Sequence, residues 1–246
     1  MLAFDVGGSF VKAGLVNPGT GGIAGAILRR PTPEGAAPAE VLDQLASMAR
    51  ELPSTGAVGL AFPAVTRQGR AWTAANVDPR WIGTDVQGLL AARIGRPVAF
   101  LNDADAAGVA EMTLGAGRGR GGTVMVLTFG TGIGSAIFVD GRLLPNTELG
   151  HLELRGEEAE HRASAKVRTD RGLGWTEWAA AVNEVLAAYH MLLWPDLFII
   201  GGGVTENWDY FGPLLTSRAE IVPASFRNDA GIIGAAMAAA MLEPVQ

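Results

Sequence analysis

Residues 2–16 read LAFDVGGSFVKAGLV, and this stretch decides the fold. Leu2–Val6 is a short apolar strand, Gly7-Gly8-Ser9 a turn, and Phe10–Val16 a second strand. The glycine-rich Asn17–Gly22 turn leads to a third strand near Ile23–Leu28. Strand, glycine turn, strand, glycine turn, strand predicts a β-meander. The pattern returns half a chain later. Thr123–Phe129 reads as a strand, Gly130-Thr131-Gly132-Ile133-Gly134 as a glycine turn and Ser135–Val139 as a strand, followed by Asp140-Gly141 and Arg142–Leu144. Aligning Phe4-Asp5-Val6-Gly7-Gly8 with Thr128-Phe129-Gly130-Thr131-Gly132 predicts a duplicated α/β lobe, with lobes at 1–104 and 105–246. Two glycine turns facing each other across a cleft can cradle one phosphate chain, because bare backbone N–H groups approach its oxygens closely. A chance likeness of two hairpins is the alternative.

Between and after the meanders the chain alternates helix and strand. Arg29–Pro38, with three prolines, reads as a loop. Ala39–Glu51 has helical apolar spacing, Ala57–Phe62 is a buried-type strand and Thr84–Ile94 a helix. Val98–Leu101 is a short strand, and Asp103–Gly115 a helix whose opening carboxylates suit its positive end. Glu153–Gly174 is polar, Trp175–Leu193 a long helix and Leu197–Ile200 a buried strand ending in Gly201-Gly202-Gly203. Tyr210–Arg218 reads as helical. Asp229–Leu242 is an Ala-rich closing helix expected to pack back on the first lobe.

Composition narrows the function. Charged residues are 18% of 246, below the usual ~25%, which excludes a disordered chain. Net charge is −6, so no nucleic-acid partner is expected. With Cys at zero, disulfides, thiolate zinc sites, iron–sulfur clusters and a cysteine nucleophile drop out together. No apolar run reaches the ~18–20 residues of a membrane span, and Met1 runs straight into strand-like sequence with no signal-peptide pattern. A cytoplasmic protein with no membrane partner is the expectation.

Five motifs occur in order: Asp5-Val6-Gly7-Gly8-Ser9, Asn102-Asp103-Ala104-Asp105-Ala106-Ala107, Gly130-Thr131-Gly132-Ile133-Gly134, Glu148-Leu149-Gly150-His151 and Gly201-Gly202-Gly203-Val204. Together they resemble the ROK family of sugar kinases. Thr73-Ala74-Ala75-Asn76-Val77, Pro145-Asn146-Thr147 before Glu148, and Arg227-Asn228-Asp229-Ala230-Gly231 resemble the bacterial polyphosphate-using glucokinases within that family. The likeness runs from about Ala3 to about Met237. It implies the actin/hexokinase-like (ribonuclease H-like) fold and phosphoryl transfer from polyphosphate or ATP to the 6-hydroxyl of glucose or a related hexose such as mannose. A strictly ATP-dependent hexose or amino-sugar kinase and a non-enzymatic sugar sensor are the alternatives. A homodimer is expected.

The resemblance also implies roles. Asp103 is the catalytic base, accepting the proton of the attacking hydroxyl. Asn76, Asn102, Glu148, His151 and Glu160 hold the sugar, although an ordinary surface glutamate is the alternative for Glu160. Gly7, Gly8, Ser9, Lys12, Thr131 and Gly132 hold the donor phosphates, Gly202 and Gly203 the adenosine side, and Asp5 a magnesium ion through water. Asp105 reads as helix capping, and His161 and His190 as structural. Many ROK kinases follow the Glu-x-Gly-His motif with a zinc site of one histidine and three cysteines. This chain has no cysteine, so no zinc is expected, and Glu160-His161-Arg162-Ala163-Ser164 resembles the segment beyond a deleted zinc loop. Arg118 and Arg120, with Lys166, Arg168 and Arg171, are candidate tracks for a long polyanion; a solvated charged face is the alternative.

Overall fold

The computed structural model describes residues 1–75 and 77–243. The chain divides into two compact units, Met1–Ala110 joined by the segment from Asp229 on, and Glu111–Asn228. The boundary lies inside a helix, a little beyond the 104/105 division expected from the sequence. Among the described residues no helix is long and apolar enough to cross a membrane.

The first unit opens with β1 (Leu2–Val6), β2 (Phe10–Val16) and β3 (Ile23–Pro31), then α1 (Pro38–Glu51) and β4 (Val58–Phe62). A two-stranded hairpin, β5 (Thr66–Arg67) and β6 (Arg70–Ala71), precedes α2 (Val86–Ile94), β7 (Val98–Asn102) and α3 (Asp103–Leu114). The sheet order is β3-β2-β1-β4-β7. β1, β2 and β3 are antiparallel neighbours, while β4 and β7 continue parallel to β1. Leu2, Phe4 and Val6 alternate onto one face and join the core with Val41, Leu42 and Leu45 of α1 and Val86 and Leu90 of α2. Ala3 and Asp5 point to the other face.

The second unit repeats this plan with β8 (Thr123–Phe129), β9 (Ile133–Val139) and β10 (Arg142–Leu144). The small hairpin β11 (Glu153–Leu154) and β12 (Glu157–Glu158) leads to α4 (Ala159–Ala163), α5 (Ala165–Asp170) and α6 (Trp175–Leu193). β13 (Leu197–Gly201), α7 (Trp208–Phe211) and β14 (Glu220–Pro223) complete it. The sheet order is β10-β9-β8-β13-β14, with the same senses: three strands antiparallel, then two parallel to β8. The core places Met125, Leu127, Phe129, Phe198 and Ile200 against Trp178, Val182 and Leu186 of α6. Trp178 meets Phe129 edge-on at 5.8 Å between ring centroids.

The closing helix α8 (Ala230–Ala240) returns to the first unit, on the sheet face opposite α1 and α2. Two glycines permit this. A Cβ on Gly59 would lie 1.9 Å from the Ala235 carbonyl oxygen, and one on Gly234 would lie 1.7 Å from that of Ala106. Both are close-approach positions that any side chain would force apart.

Two readings of the sequence differ from the structure. The helix expected over Tyr210–Arg218 spans only Trp208–Phe211, because Gly212 packs under the Trp208 ring and Pro213 cannot continue the ladder. The expected loop from Arg29 begins later, since β3 runs on to Pro31.

Candidate active site

The first glycine turn joins β1 to β2. The Gly7 N–H donates to the Phe10 carbonyl at 2.9 Å, closing the hairpin, and leaves Gly8 and Ser9 exposed. The end of β3 clamps it from outside. Thr32 Oγ1 donates to the Gly7 carbonyl at 2.7 Å, and the Thr32 N–H to that of Ser9 at 3.0 Å. Asp5 and Lys12 are register partners on β1 and β2, and their side chains pair at 3.2 Å. The first turn of α8 backs this pair, with the Gly231 Cβ position 3.1 Å from the Asp5 carboxylate. One carboxylate, partly open to solvent, beside a turn of exposed backbone suits magnesium, which retains waters and takes one or two protein oxygens with substrate phosphates.

Asn102 ends β7 and Asp103 begins α3. Sequence reasoning gave Asn102 to the sugar and the capping role to Asp105; the structure gives the cap to Asn102. Its Oδ1 accepts the N–H groups of Ala104 and Asp105 at 2.9 and 3.0 Å, because a strand running straight into a helix leaves these donors unpaired. Its Nδ2 donates to the Ala64 carbonyl at 3.1 Å, which leaves one amide hydrogen for a ligand. The Asp103 Oδ1 accepts the Ala104 N–H at 2.8 Å, on a half-buried side chain. Asp105 is buried at 2% exposure. Asn76 lies outside the described residues.

In the second unit the glycine turn is built differently. The Gly130 N–H donates to the Gly132 carbonyl at 3.0 Å, and the Lys166 N–H to that of Gly130 at 3.0 Å. Thr131 is exposed. Glu160 closes the turn from behind: its Oε2 accepts the Ile133 N–H at 3.3 Å and lies 2.2 Å from where a Gly132 Cβ would be. Gly202, at φ 89°, stands over the same strand end, its Cβ position 2.4 Å from the Phe129 carbonyl oxygen. It is a close-packing glycine, while Gly203 beside it is open.

Glu148 and His151 bracket a single 3-10 turn, Leu149–His151. The Ser135 hydroxyl, on β9, donates to the Thr147 carbonyl at 2.8 Å and accepts the Leu149 N–H at 3.2 Å. The Tyr189 hydroxyl, on α6, donates to the Leu149 carbonyl at 2.7 Å, and burial pushes its pKa up. Gly150 lies against the Ile133 carbonyl, its Cβ position 2.3 Å away. The segment is thus fixed between β9 and α6.

His151 sits between carboxylates. Its Nδ1 meets Glu158 Oε2 at 3.1 Å and its Nε2 lies 3.7 Å from Glu148 Oε2. Burial alone would lower the imidazole pKa; the Glu158 hydrogen bond and the charges of Glu160, Glu158 and Glu148 outweigh it, and the net shift is upward. Burial raises the Glu148 carboxyl, with His151 opposing and Glu160 assisting. Glu158 is the residue that sequence reasoning missed. Its partner stands seven positions away, and only the β11–β12 hairpin brings it back. Ligand atoms of His151, Glu158 and Glu160 fall within 4.8 Å of one another, so the trio meets the spacing a cation needs, with one nitrogen already engaged by Glu158.

The basic stretches are largely committed. Arg120 pairs with Glu220 at 2.7 Å, Lys166 with Asp170, and Arg171 with Glu157 at 3.1 Å. The Arg168 guanidinium lies 3.4 Å over the Trp175 ring. Arg118 is exposed.

The chain belongs to the ROK family, whose model matches residues 1–166. It is 46% identical to the polyphosphate glucokinase of Mycobacterium tuberculosis, over 96% of this chain and 90% of that protein. The crystal structure of the inorganic polyphosphate/ATP-glucomannokinase from Arthrobacter sp. strain KM superposes with a TM-score of 0.95 at 45% identity, covering 99% of each chain. A ROK family glucokinase from Streptomyces griseus, solved with glucose and AMPPNP, gives a TM-score of 0.84 at 24% identity over 98% of this chain and 99% of that one, a likeness of fold. The mixed α/β fold of the actin/hexokinase-like type, expected from the sequence, is the fold observed.

Proposed function

We propose that this kinase transfers a phosphoryl group from inorganic polyphosphate to the 6-hydroxyl of glucose, with ATP as a second donor and mannose as a second acceptor. The observation that carries the reading is the 46% identity to a polyphosphate glucokinase across 96% of the chain. Asp103 accepts the proton of the sugar hydroxyl as that oxygen bonds to phosphorus and the phosphoanhydride bond to the remaining chain breaks. The remaining amide hydrogen of Asn102, together with Glu148, His151 and Glu160, orients the hydroxyls. Asn76 belongs to the same proposed set. Backbone N–H groups of Gly8, Ser9, Thr131 and Gly132, with the Lys12 ammonium, hold the donor, and Gly7, whose N–H closes the hairpin on the Phe10 carbonyl, shapes the first turn. Gly203 lies on the adenosine side when ATP is used, and Gly202 supports the turn behind it. Asp5 would hold magnesium through its waters; bound there, the ion neutralises phosphate charge.

The test is direct. Purified protein is given glucose or mannose with polyphosphate or ATP, and sugar 6-phosphate is measured. Glucose 6-phosphate formed from polyphosphate is the expected result; transfer from ATP alone would make the chain an ATP-dependent hexose kinase.

A further inference from the structure

The basic stretches that the sequence offers for a long phosphate chain are mostly neutralised within the second unit, which leaves a polyphosphate without an evident track there. A different cation stands beside the first glycine turn. Across the sheet, Asp5 of β1 is in register with Lys12 of β2, and Lys12 with Arg29 of β3. Residues paired across a sheet point to the same face, so the three form one row from the sheet centre to its edge. The Asp5–Lys12 pair at 3.2 Å fixes which face this is. Phe10, two residues before Lys12, points the same way. The Arg29 guanidinium lies over its ring, 3.9 Å from the centroid.

This arrangement differs from that of the neighbouring arginine. Arg30 points to the other face and is committed to Glu51 at 2.5 Å and Ser47 at 3.3 Å. Arg29 is exposed and makes no ion pair among the described residues. Stacked on Phe10, its plane is held while the N–H edges remain for a ligand, the geometry in which arginine binds phosphate in a fork. Thr32, three residues further on, is the clamp on Gly7 and Ser9, so the strand that carries Arg29 is tied to the turn itself.

We propose that Arg29, stacked on Phe10 at the end of the Asp5–Lys12 row, is a subsite for donor phosphates beyond the one transferred, and so favours long inorganic polyphosphate over ATP. The inference rests on the polyphosphate reading above and assigns that donor its path. A single fixed guanidinium adds to each encounter with an extended polyanion. A nucleoside triphosphate ends in a base and sugar instead of further phosphates, so it gains little from this cation.

Kinetics with long polyphosphate, tripolyphosphate and ATP at saturating glucose test it, in wild type, Arg29→Gln and Arg29→Lys, together with equilibrium binding of long polyphosphate by calorimetry. Arg29→Gln should raise KM for long polyphosphate about tenfold with kcat within about twofold, and KM for ATP by less than about threefold. Its melting temperature should stay within about 2 °C, since the side chain is exposed. The defect should shrink as salt rises, because screening removes the same attraction from the wild type. Arg29→Lys should recover part of the loss. Equal losses for all three donors, or none, would overturn the subsite. If wild type uses ATP but not polyphosphate, the functional reading falls, and calorimetry still decides the subsite: weaker polyphosphate binding by Arg29→Gln sustains it, and unchanged binding overturns it.

Discussion

The two glycine turns stand on the same backbone plan and have opposite surroundings. The first is exposed at Gly8 and Ser9 and flanked by Lys12 and Arg29. The second has a carboxylate at its back, with Glu160 on the Ile133 N–H and against Gly132. Its near neighbours are Glu148, His151 and Glu158. Duplication has kept the strand order β3-β2-β1-β4-β7 as β10-β9-β8-β13-β14 and has let side chains diverge. A turn ringed by carboxylates repels a polyanion unless a cation intervenes, and suits hydroxyl groups. In the proposed function the first turn meets phosphate alone, whereas the Glu148–His151–Glu160 cluster beside the second turn adds contacts to the sugar there.

The largest effects should come from the first unit. Removing divalent metal with a chelator should abolish transfer and leave the melting temperature unchanged, because no thiolate site contributes folding energy. Elemental analysis of the purified protein should find less than about 0.1 zinc per chain; stoichiometric zinc would move the His151–Glu158–Glu160 trio from sugar recognition to metal binding. Asp103→Asn should lower kcat by about two to four powers of ten with glucose binding retained. Circular dichroism and glucose titration check the fold and the binding. Near-normal turnover in the folded variant would remove Asp103 as the base.

Next in size are Glu148→Gln and His151→Ala, each expected to cost about 10–100-fold in kcat/KM for glucose while the donor KM changes little. A site built to hydrogen-bond hydroxyls discriminates through the polar groups it leaves unpaired. If the donor KM carries the loss instead, the division between the turns is wrong.

The glycines give a smaller and more local contrast. A Cβ at Gly7 meets the Phe10 carbonyl oxygen at 3.2 Å, a contact that a small shift relieves. At Gly132 it meets the Glu160 carboxylate at 2.2 Å, so that side chain must move. Gly132→Ala should therefore raise the glucose KM several-fold, roughly three- to tenfold, at a stability cost of about 1 kcal/mol. Gly7→Ala should alter the donor KM and leave that of glucose alone. Steady-state kinetics with each substrate varied, alongside thermal melts, separate the two.

Much of this was legible beforehand. Both meanders, Asp103 at a strand end and the Glu148–His151 pair follow from apolar runs, glycine turns and motif order. Other elements carry no such signal. β14 is four residues long, half exposed and without alternation, so only its parallel pairing with β13 reveals it. The short helices α4 and α5 lie in a polar stretch; α5 is set by Ser164, whose hydroxyl accepts the Val167 N–H at 3.3 Å. Arg29 was hidden by the prolines that follow it. A terminal Pro31 is tolerated on an edge strand, where no ladder donor is missed, and β3 therefore reaches past the expected loop boundary. Gly59 and Gly234 fall inside an expected strand and an expected helix, and nothing in the sequence marks them as the close contacts that let α8 lie on the sheet and on α3.

The smallest effect should sharpen the sugar side of the comparison. Glu158 touches His151 through Nδ1 and is a positioning residue for it. The hairpin that delivers it turns at Arg155 and Gly156, both at positive φ, 55° and 82°, the pattern of a tight two-residue connection. A carboxylate on Nδ1 fixes the ring orientation and aims Nε2 at the Glu148 side, as partners of functional histidines commonly do. Glu158→Gln keeps a hydrogen-bonding oxygen and loses the charge, so the ring stays aimed but its cationic form is less favoured. The glucose KM should rise about three- to fivefold, with kcat and the polyphosphate KM nearly unchanged. Glu158→Ala, which removes the partner altogether, should approach the His151→Ala value. A merely structural Glu158 would lower the melting temperature and leave the glucose KM where it was, and that result would detach it from the sugar.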